Sequence, residues 1–511
     1  MRAKTLRLRY LAAAAALASA TLATGSVTFG TSLVSATGPE ISGAGSTWVE
    51  IAINQWDADE ALVGYHVNFN PVGSSTGRQF YIANQVDFAA SEIPFQPGQE
   101  TDALNASGRS HQYVPDVAGG TSLMYNLHQL DGTQVTSLRL DAETAAKIFT
   151  DVITSWQDPA IAALNPQLRQ PDGSLNIAET TIIPVDRSDG SGTSAQFSLY
   201  LASQASDVWN AFAQKNGCPA PCSNWPPETG QAQNGSDGVA NFVENNQLGA
   251  GSIGYVEAGF AFARAFPIAR LKNASGNFAP NEVDQKNGPL DFSTDVSAAL
   301  KHATLNADLT QNLQGVYTAP ETNAYPMSSY SYLVTPTTGF DPAKGAVLGA
   351  WLTYVACGGQ AEATQLGYSP MPPNLVQDVF DAVHHIPGAP PTPPLDPAHC
   401  NNPTLSGQLT FAGGSGGGGG GNGATSRGGR SGSAQASGAA AAAGSAAATG
   451  GDEGVTPVPT LDAAEQQMSF VAAEREASRI HAQPSLVLLL AAGAVLLLVF
   501  LPALLVSWRA R

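Results

Sequence analysis

Three short segments concentrate the residue types that grip a small oxyanion. They are Ser42-Gly43-Ala44-Gly45-Ser46-Thr47-Trp48, Gly73-Ser74-Ser75-Thr76-Gly77 and Arg187-Ser188-Asp189-Gly190-Ser191-Gly192-Thr193-Ser194. Glycine lets a backbone turn its N–H groups toward one point, and Ser and Thr add hydroxyl donors. A helix that starts just afterwards contributes positive potential. Taken singly, each segment equally fits an ordinary turn and helix cap. Three together, one opening on Arg187 and none containing a Gly-Lys-Ser phosphate loop, point to a free phosphate or sulfate rather than a nucleotide. A fourth segment, Val86-Asp87-Phe88-Ala89-Ala90-Ser91-Glu92-Ile93-Pro94, ends a predicted strand on a carboxylate. An ionised Glu92 accepts a hydrogen bond from an anion that keeps an O–H, as phosphate does, and only repels sulfate, which has none. The alternative for Glu92 is a solvated loop carboxylate.

The elements that must position these residues alternate between short apolar runs and helical patterns. Strands are predicted over 67–69, 88–90, 181–184, 252–255 and 332–334. Helices are predicted after Thr47, Thr76, Asp141, Ser194 and Asp237, and over Lys344 to Cys357. Strand, tight turn and helix in succession predict an α/β fold, in which ligands bind beyond the strand ends. The chain has 511 residues, of which 43% are hydrophobic, and this length predicts two domains plus tails. The formal charge of -18, from 23 Lys and Arg against 41 Asp and Glu, argues against nucleic acid as a partner.

Both ends carry membrane-related patterns. Residues 1–36 read as a secretory signal: Arg2, Lys4, Arg7 and Arg9 precede an apolar stretch from Leu11 to Ala23, with Ala18-Ser19-Ala20 or Val34-Ser35-Ala36 as cleavage sequences. The apolar core is too short to favour a first transmembrane helix. Residues 485–508 lack charge and predict a helix of about 36 Å, enough to span the hydrocarbon. Arg509 and Arg511 place the tail 509–511 in the cytoplasm and the body outside. Residues 401–484 include a Gly, Ala and Ser tract from Ala412 to Gly451 and read as a flexible linker and juxtamembrane segment, about 50 Å in root-mean-square span. Cys218, Cys222, Cys357 and Cys400 thus lie on the oxidising side. Proximity favours Cys218 with Cys222 and Cys357 with Cys400 among three possible pairings. A zinc site at Cys218-x-x-x-Cys222 lacks a nearby His, and His384-His385 lacks a helical partner carboxylate, so no metal or cofactor is expected. Trp209, Trp225 and Trp351 read as packing residues.

In order and spacing, these segments resemble the phosphate-specific substrate-binding proteins of ABC importers. The resemblance covers roughly Ile41 to Val383. Further matches are Val117-Ala118-Gly119-Gly120, Ile148-Phe149-Thr150, Ser155-Trp156, Leu164-Asn165-Pro166, Asn234-Gly235-Ser236-Asp237-Gly238-Val239 and Ile253-Gly254-Tyr255-Val256-Glu257. The resemblance implies a two-lobed periplasmic-binding-protein clamshell of type II, with lobe 1 over 37–122 and 325–400 and lobe 2 over 123–324. Crossovers would fall near Gly119 to Met124 and Tyr325 to Tyr330. It implies phosphate held by Thr47, Trp48, Ser74, Glu92, Arg187, Ser191, Gly192 and Thr193, with Asp189 orienting Arg187. It also implies a membrane permease as partner and no catalysis, and the body is expected to be monomeric. Trp48 stands where the family usually has Phe, which matters little to a backbone donor. Glu92 stands where it usually has Asp, and the extra methylene adds about 1.5 Å of reach to be accommodated. Two other functions remain as alternatives. One is a surface adhesin or sensor that keeps the fold. The other is a phosphatase, for which the chain lacks an Asp and His cluster at metal-ligand spacing.

Overall fold

Residues Ile41–Gly45, read above as the start of a loop, form a buried strand. Their small side chains suit close packing. A side chain on Gly43 would enter the ring of Phe88, and one on Gly77 would meet the backbone of Gly45. The same glycines that looked like turn residues therefore let a strand and a helix approach closely. The second segment is likewise regular: its helix starts at Ser74 and runs to Ile82. In the third segment Arg187 closes a strand, and a helix starts at Gly192.

The computed structural model describes residues 38–227, 230–245, 247–281 and 289–406, all within the compact unit Met1–Ser415. The expected signal segment, the linker beyond residue 406, the membrane helix 485–508 and the tail 509–511 lie outside the described residues. Among the described residues no helix is long and apolar enough to cross a membrane.

The strands, in chain order, are β1 (Ile41–Gly45), β2 (Val67–Asn70), β3 (Phe88–Ser91), β4 (Gln112–Tyr125), β5 (Arg139–Leu140), β6 (Ile183–Arg187), β7 (Gln231–Gln233), β8 (Ser252–Glu257), β9 (Arg270–Lys272), β10 (Phe278–Ala279), β11 (Thr304–Leu305), β12 (Gln311–Asn312) and β13 (Ser328–Thr335). Eight of them form one sheet in the order β2-β1-β3-β13-β4-β8-β6-β7, while β10-β9-β5 and β11-β12 make two small sheets. Parallel pairing of β1 with β2 and β3 at one end is matched by parallel pairing of β6 with β7 and β8 at the other. Each parallel set has helices between its strands, as parallel crossovers require. The two halves meet at β4, whose first part pairs with β13 up to Gly120 and whose last part pairs with β8 from Thr121. The ends of β1, β3 and β6, where the candidate residues sit, consequently face one another across this join.

Each half has its own aromatic packing. Trp351 lies 6.4 Å from Trp56 and 5.1 Å from Phe88, while Trp225 lies 5.5 Å from both Trp209 and Tyr255. Judged by the cost of replacing such a buried ring with Ala, each contributes about 3–5 kcal/mol. The three tryptophans expected to pack do so. Disulfides join Cys218 to Cys222 and Cys357 to Cys400, the pairing that proximity favours, which removes the two cysteines of the zinc alternative. Among the described residues no group of three or more His, Cys, Asp or Glu side chains is placed to hold a metal ion.

Candidate oxyanion-binding site

Four helices begin around the join: Glu50–Leu62 and Ser74–Ile82 from one half, Gly192–Gln204 and Gly235–Glu244 from the other. Helix starts carry unsatisfied N–H groups and positive potential, so this is electrostatically a place for an anion. Local sequence sets the geometry. Gly73 adopts φ 89°, and a side chain there would strike the Asp189 carboxylate of the opposite half. Ser75 N–H donates to Gly190 carbonyl at 2.9 Å, so the two glycine-rich turns are hydrogen-bonded to each other across the join.

Arg187 supplies the cation. It is 2% exposed, its Nε donates to Asp189 Oδ1 at 2.7 Å, and its Nη2 donates to Asp189 Oδ2. Burial alone would raise the Asp189 pKa, but the two bonds and charge of Arg187, with the N–H of Gly235, hold it below the usual carboxylate range. The guanidinium is thus fixed in orientation, as a buried ion pair must be to offset its desolvation. Its free edge, Nη1, donates to Thr193 Oγ1 at 3.3 Å and to Ser236 Oγ at 3.4 Å. Ser236 Oγ in turn lies 2.9 Å from Thr47 Oγ1, and Ser236 N–H donates to Thr47 Oγ1 at 3.0 Å.

Glu92, one residue past β3, is fully buried. Ser74 Oγ donates to its Oε2 at 2.9 Å, and the Gly192 N–H donates to Ser74 Oγ at 3.1 Å. A side chain at position 192 would collide with this carboxylate, so glycine is what lets the longer Glu reach the other half. That is where the extra methylene goes. Its carbonyl is also held, by Gln196 Nε2 at 2.7 Å and Gln311 Nε2 at 3.1 Å. Burial raises the Glu92 pKa, against the pull of Ser46, Ser74 and the charge of Arg187. A carboxylate, a guanidinium, hydroxyls and helix-start amides therefore share one buried region sealed from bulk water. Such a set can bind a tetrahedral oxyanion through charge-assisted bonds and offer an acceptor to any O–H that the anion retains.

Thr47, Ser74, Glu92, Arg187, Asp189, Gly192 and Thr193 are brought together, and two expected residues are used differently. The Trp48 N–H donates to Ser46 Oγ at 2.9 Å while its indole donates to Thr121 Oγ1 at 3.2 Å. The Ser191 hydroxyl caps its own helix by accepting from Ser194 N–H at 3.1 Å.

Comparison with known proteins places the fold in a family. The family model described as PBP superfamily domain matches residues 19–358. The chain belongs to the PBP superfamily. Phosphate-binding protein PstS of Xylella fastidiosa is 32% identical over 341 residues, which is 66% of this chain and 84% of that protein. Phosphate-binding protein PstS 3 of Mycobacterium tuberculosis is 28% identical over 332 residues, 64% of this chain and 81% of that one. The crystal structure of the ancestral soluble variant of the Human Phosphate Binding Protein superposes with a TM-score of 0.51 at 17% identity, over 70% of this chain and 100% of that one. At that identity the superposition speaks to the PBP fold alone.

In this PBP superfamily member, sequence reading missed Ser46, Ser236, Ser331 and Asp116. Ser46 and Ser236 lie in the quoted segments Ser42 to Trp48 and Asn234 to Val239 but carried no role. Ser331 and Asp116 stand inside strands, where a hydroxyl or a carboxylate in an apolar run was the available signal. Glu50, at the start of its helix, has its pKa pushed up to about 7 by burial and then by Asp237, with Arg187 and Arg264 opposing.

Proposed function

We propose that the chain binds one inorganic phosphate between two lobes, 37–122 with 325–400 and 123–324, and delivers it to the membrane permease of an ABC importer. The observation that carries this reading is the pairing of Arg187, held by Asp189, with a buried carboxylate acceptor at Glu92 in one enclosure. A guanidinium and helix starts suit any oxyanion, whereas an acceptor beside them suits one that still bears a proton. The relatives named phosphate-binding protein support the same choice. In this reading Thr47, Ser74, Gly192, Thr193 and Ser236 donate to the phosphate oxygens. β4 and β13 act as the crossovers about which the lobes close, and the closed form is what the permease recognises. The body stands on the outer side of the membrane, held by helix 485–508, and acts as a monomer that binds and releases without turnover. Calorimetric titration of the purified full chain tests the reading. One phosphate per chain with micromolar or tighter affinity is expected, and a flat titration contradicts it and favours a surface protein that merely retains the fold.

A further inference from the structure

A second buried acid lies behind Glu92. Asp116 of β4 is fully buried, its Oδ1 accepts from the Val117 N–H at 2.6 Å, and its Oδ2 has no hydrogen-bond partner of ordinary length. Strand register explains its neighbourhood. Tyr332 pairs with Ser91 of β3, so the next step puts Ser331 opposite Glu92. On its other side β13 pairs Tyr330 with Ala118 and Tyr332 with Pro115, a register shift that leaves Ser331 facing Asp116 and Val117. Carboxyl, hydroxyl and carboxyl thus form a row across β4, β13 and β3, and Ser331 Oγ donates to Glu92 Oε1 at 3.4 Å.

Donor counting makes this row incomplete as two carboxylates. Ser331 has one proton to give, and while it goes to Glu92 it leaves Asp116 Oδ2 an ionised acceptor in a dry interior, an arrangement that burial strongly disfavours. A proton on Oδ2 resolves it, since Asp116 then donates to Ser331 Oγ, and Ser331 donates onward to Glu92. We infer that Asp116, Ser331 and Glu92 hold one proton in common, with Asp116 its carrier, and that Asp116 is a positioning residue keeping Glu92 ionised toward the ligand. Two ionised acids and an incoming oxyanion would repel one another, whereas a single shared negative charge leaves Glu92 as an acceptor only. The groups facing the row are consistent with this division. Glu92 has Ser46, Ser74 and Arg187 to favour its charge, with Tyr332 beside it. Asp116 has only the Val117 and its own backbone N–H groups and Ser331, with Glu92 opposing its charge and Tyr368 nearby.

The effect on the ligand rests on the phosphate reading above, but the proton does not, and the test separates them. Infrared spectra of the full chain at neutral pH are compared with those of Asp116→Asn and Ser331→Ala, alongside phosphate titrations. Asp116→Asn is expected to delete one carbonyl band of a protonated carboxyl and to leave affinity within about threefold, because Asn is the neutral isostere. Ser331→Ala, which keeps both acids, is expected to shift that band, and it decides the matter should the Asn variant fail to fold. An unaltered carbonyl region in these variants, or phosphate bound about tenfold or more tightly once the Asp is gone, overturns the inference, since either means that Asp116 is ionised. A chain whose bands respond as expected but that binds no phosphate keeps the shared proton and defeats the phosphate reading instead.

Discussion

At the scale of single residues, the proposed phosphate site divides recognition between Arg187 and Glu92. Arg187 is the cation whose four side-chain bonds are already directed, two to Asp189 and one each toward Thr193 and Ser236. Removing it leaves Asp189 buried without its partner and the ligand without its counter-charge. Arg187→Ala is therefore expected to cost about 3–5 kcal/mol of binding, a loss of roughly a hundredfold or more in Kd. Titration calorimetry reads this, with the melting temperature followed in parallel, and an unchanged Kd places the site elsewhere. The sequence made Arg187 legible because a cation opening a Ser and Gly turn is a strong local pattern. It did not make Asp116 legible, because a carboxylate within Tyr113-Val114-Pro115-Asp116-Val117-Ala118 acquires meaning only when β13 brings Ser331 alongside. Trp48 and Ser191 show the opposite: their types suited the site, yet nearer partners at Ser46 and Ser194 satisfy them.

At the scale of elements, the helices were readable and the strands only partly so. Helices start at Glu50, Ser74, Ala142, Gly192 and Gly235, each within three residues of the starts read after Thr47, Thr76, Asp141, Ser194 and Asp237, whereas β1 is written in Ser, Gly and Ala and reads as a turn. Composition reports conformational freedom, but close packing of Gly43 on Phe88 and Gly77 on Gly45 is the property that selected those residues. The 14-residue β4 was hidden for a related reason, since Pro115, Gly119 and Gly120 interrupt its apolar run. The C-terminal part of the body is tied back by the Cys357–Cys400 disulfide, and beyond it Asn402 and Thr404 bond to the Met371 carbonyl at 3.1 and 2.8 Å. A cross-link spanning 43 residues restricts the unfolded chain by about 4 kcal/mol in the loop-entropy account. Replacing both cysteines by Ser is expected to lower the urea midpoint accordingly while leaving phosphate affinity unaltered. An unmoved midpoint contradicts that role.

At the scale of the whole molecule, a chain of net charge -18 is an unobvious receptor for an anion. Distance resolves the conflict. Surface charge is screened over about 8 Å at physiological salt, whereas Arg187 and the helix starts act at contact in a water-poor interior where their field is strong. In the proposed site the same enclosure makes discrimination depend on protons rather than on overall charge. Phosphate and arsenate each bring an O–H to Glu92, and sulfate brings only lone pairs to a carboxylate. The most direct measurement is displacement of phosphate from the full chain, followed by calorimetry in the presence of excess arsenate or excess sulfate. Arsenate is predicted to compete and sulfate to leave the phosphate isotherm where it was. Displacement by sulfate as effective as that by arsenate would mean that Glu92 does not read the proton, and the account of this site would be wrong.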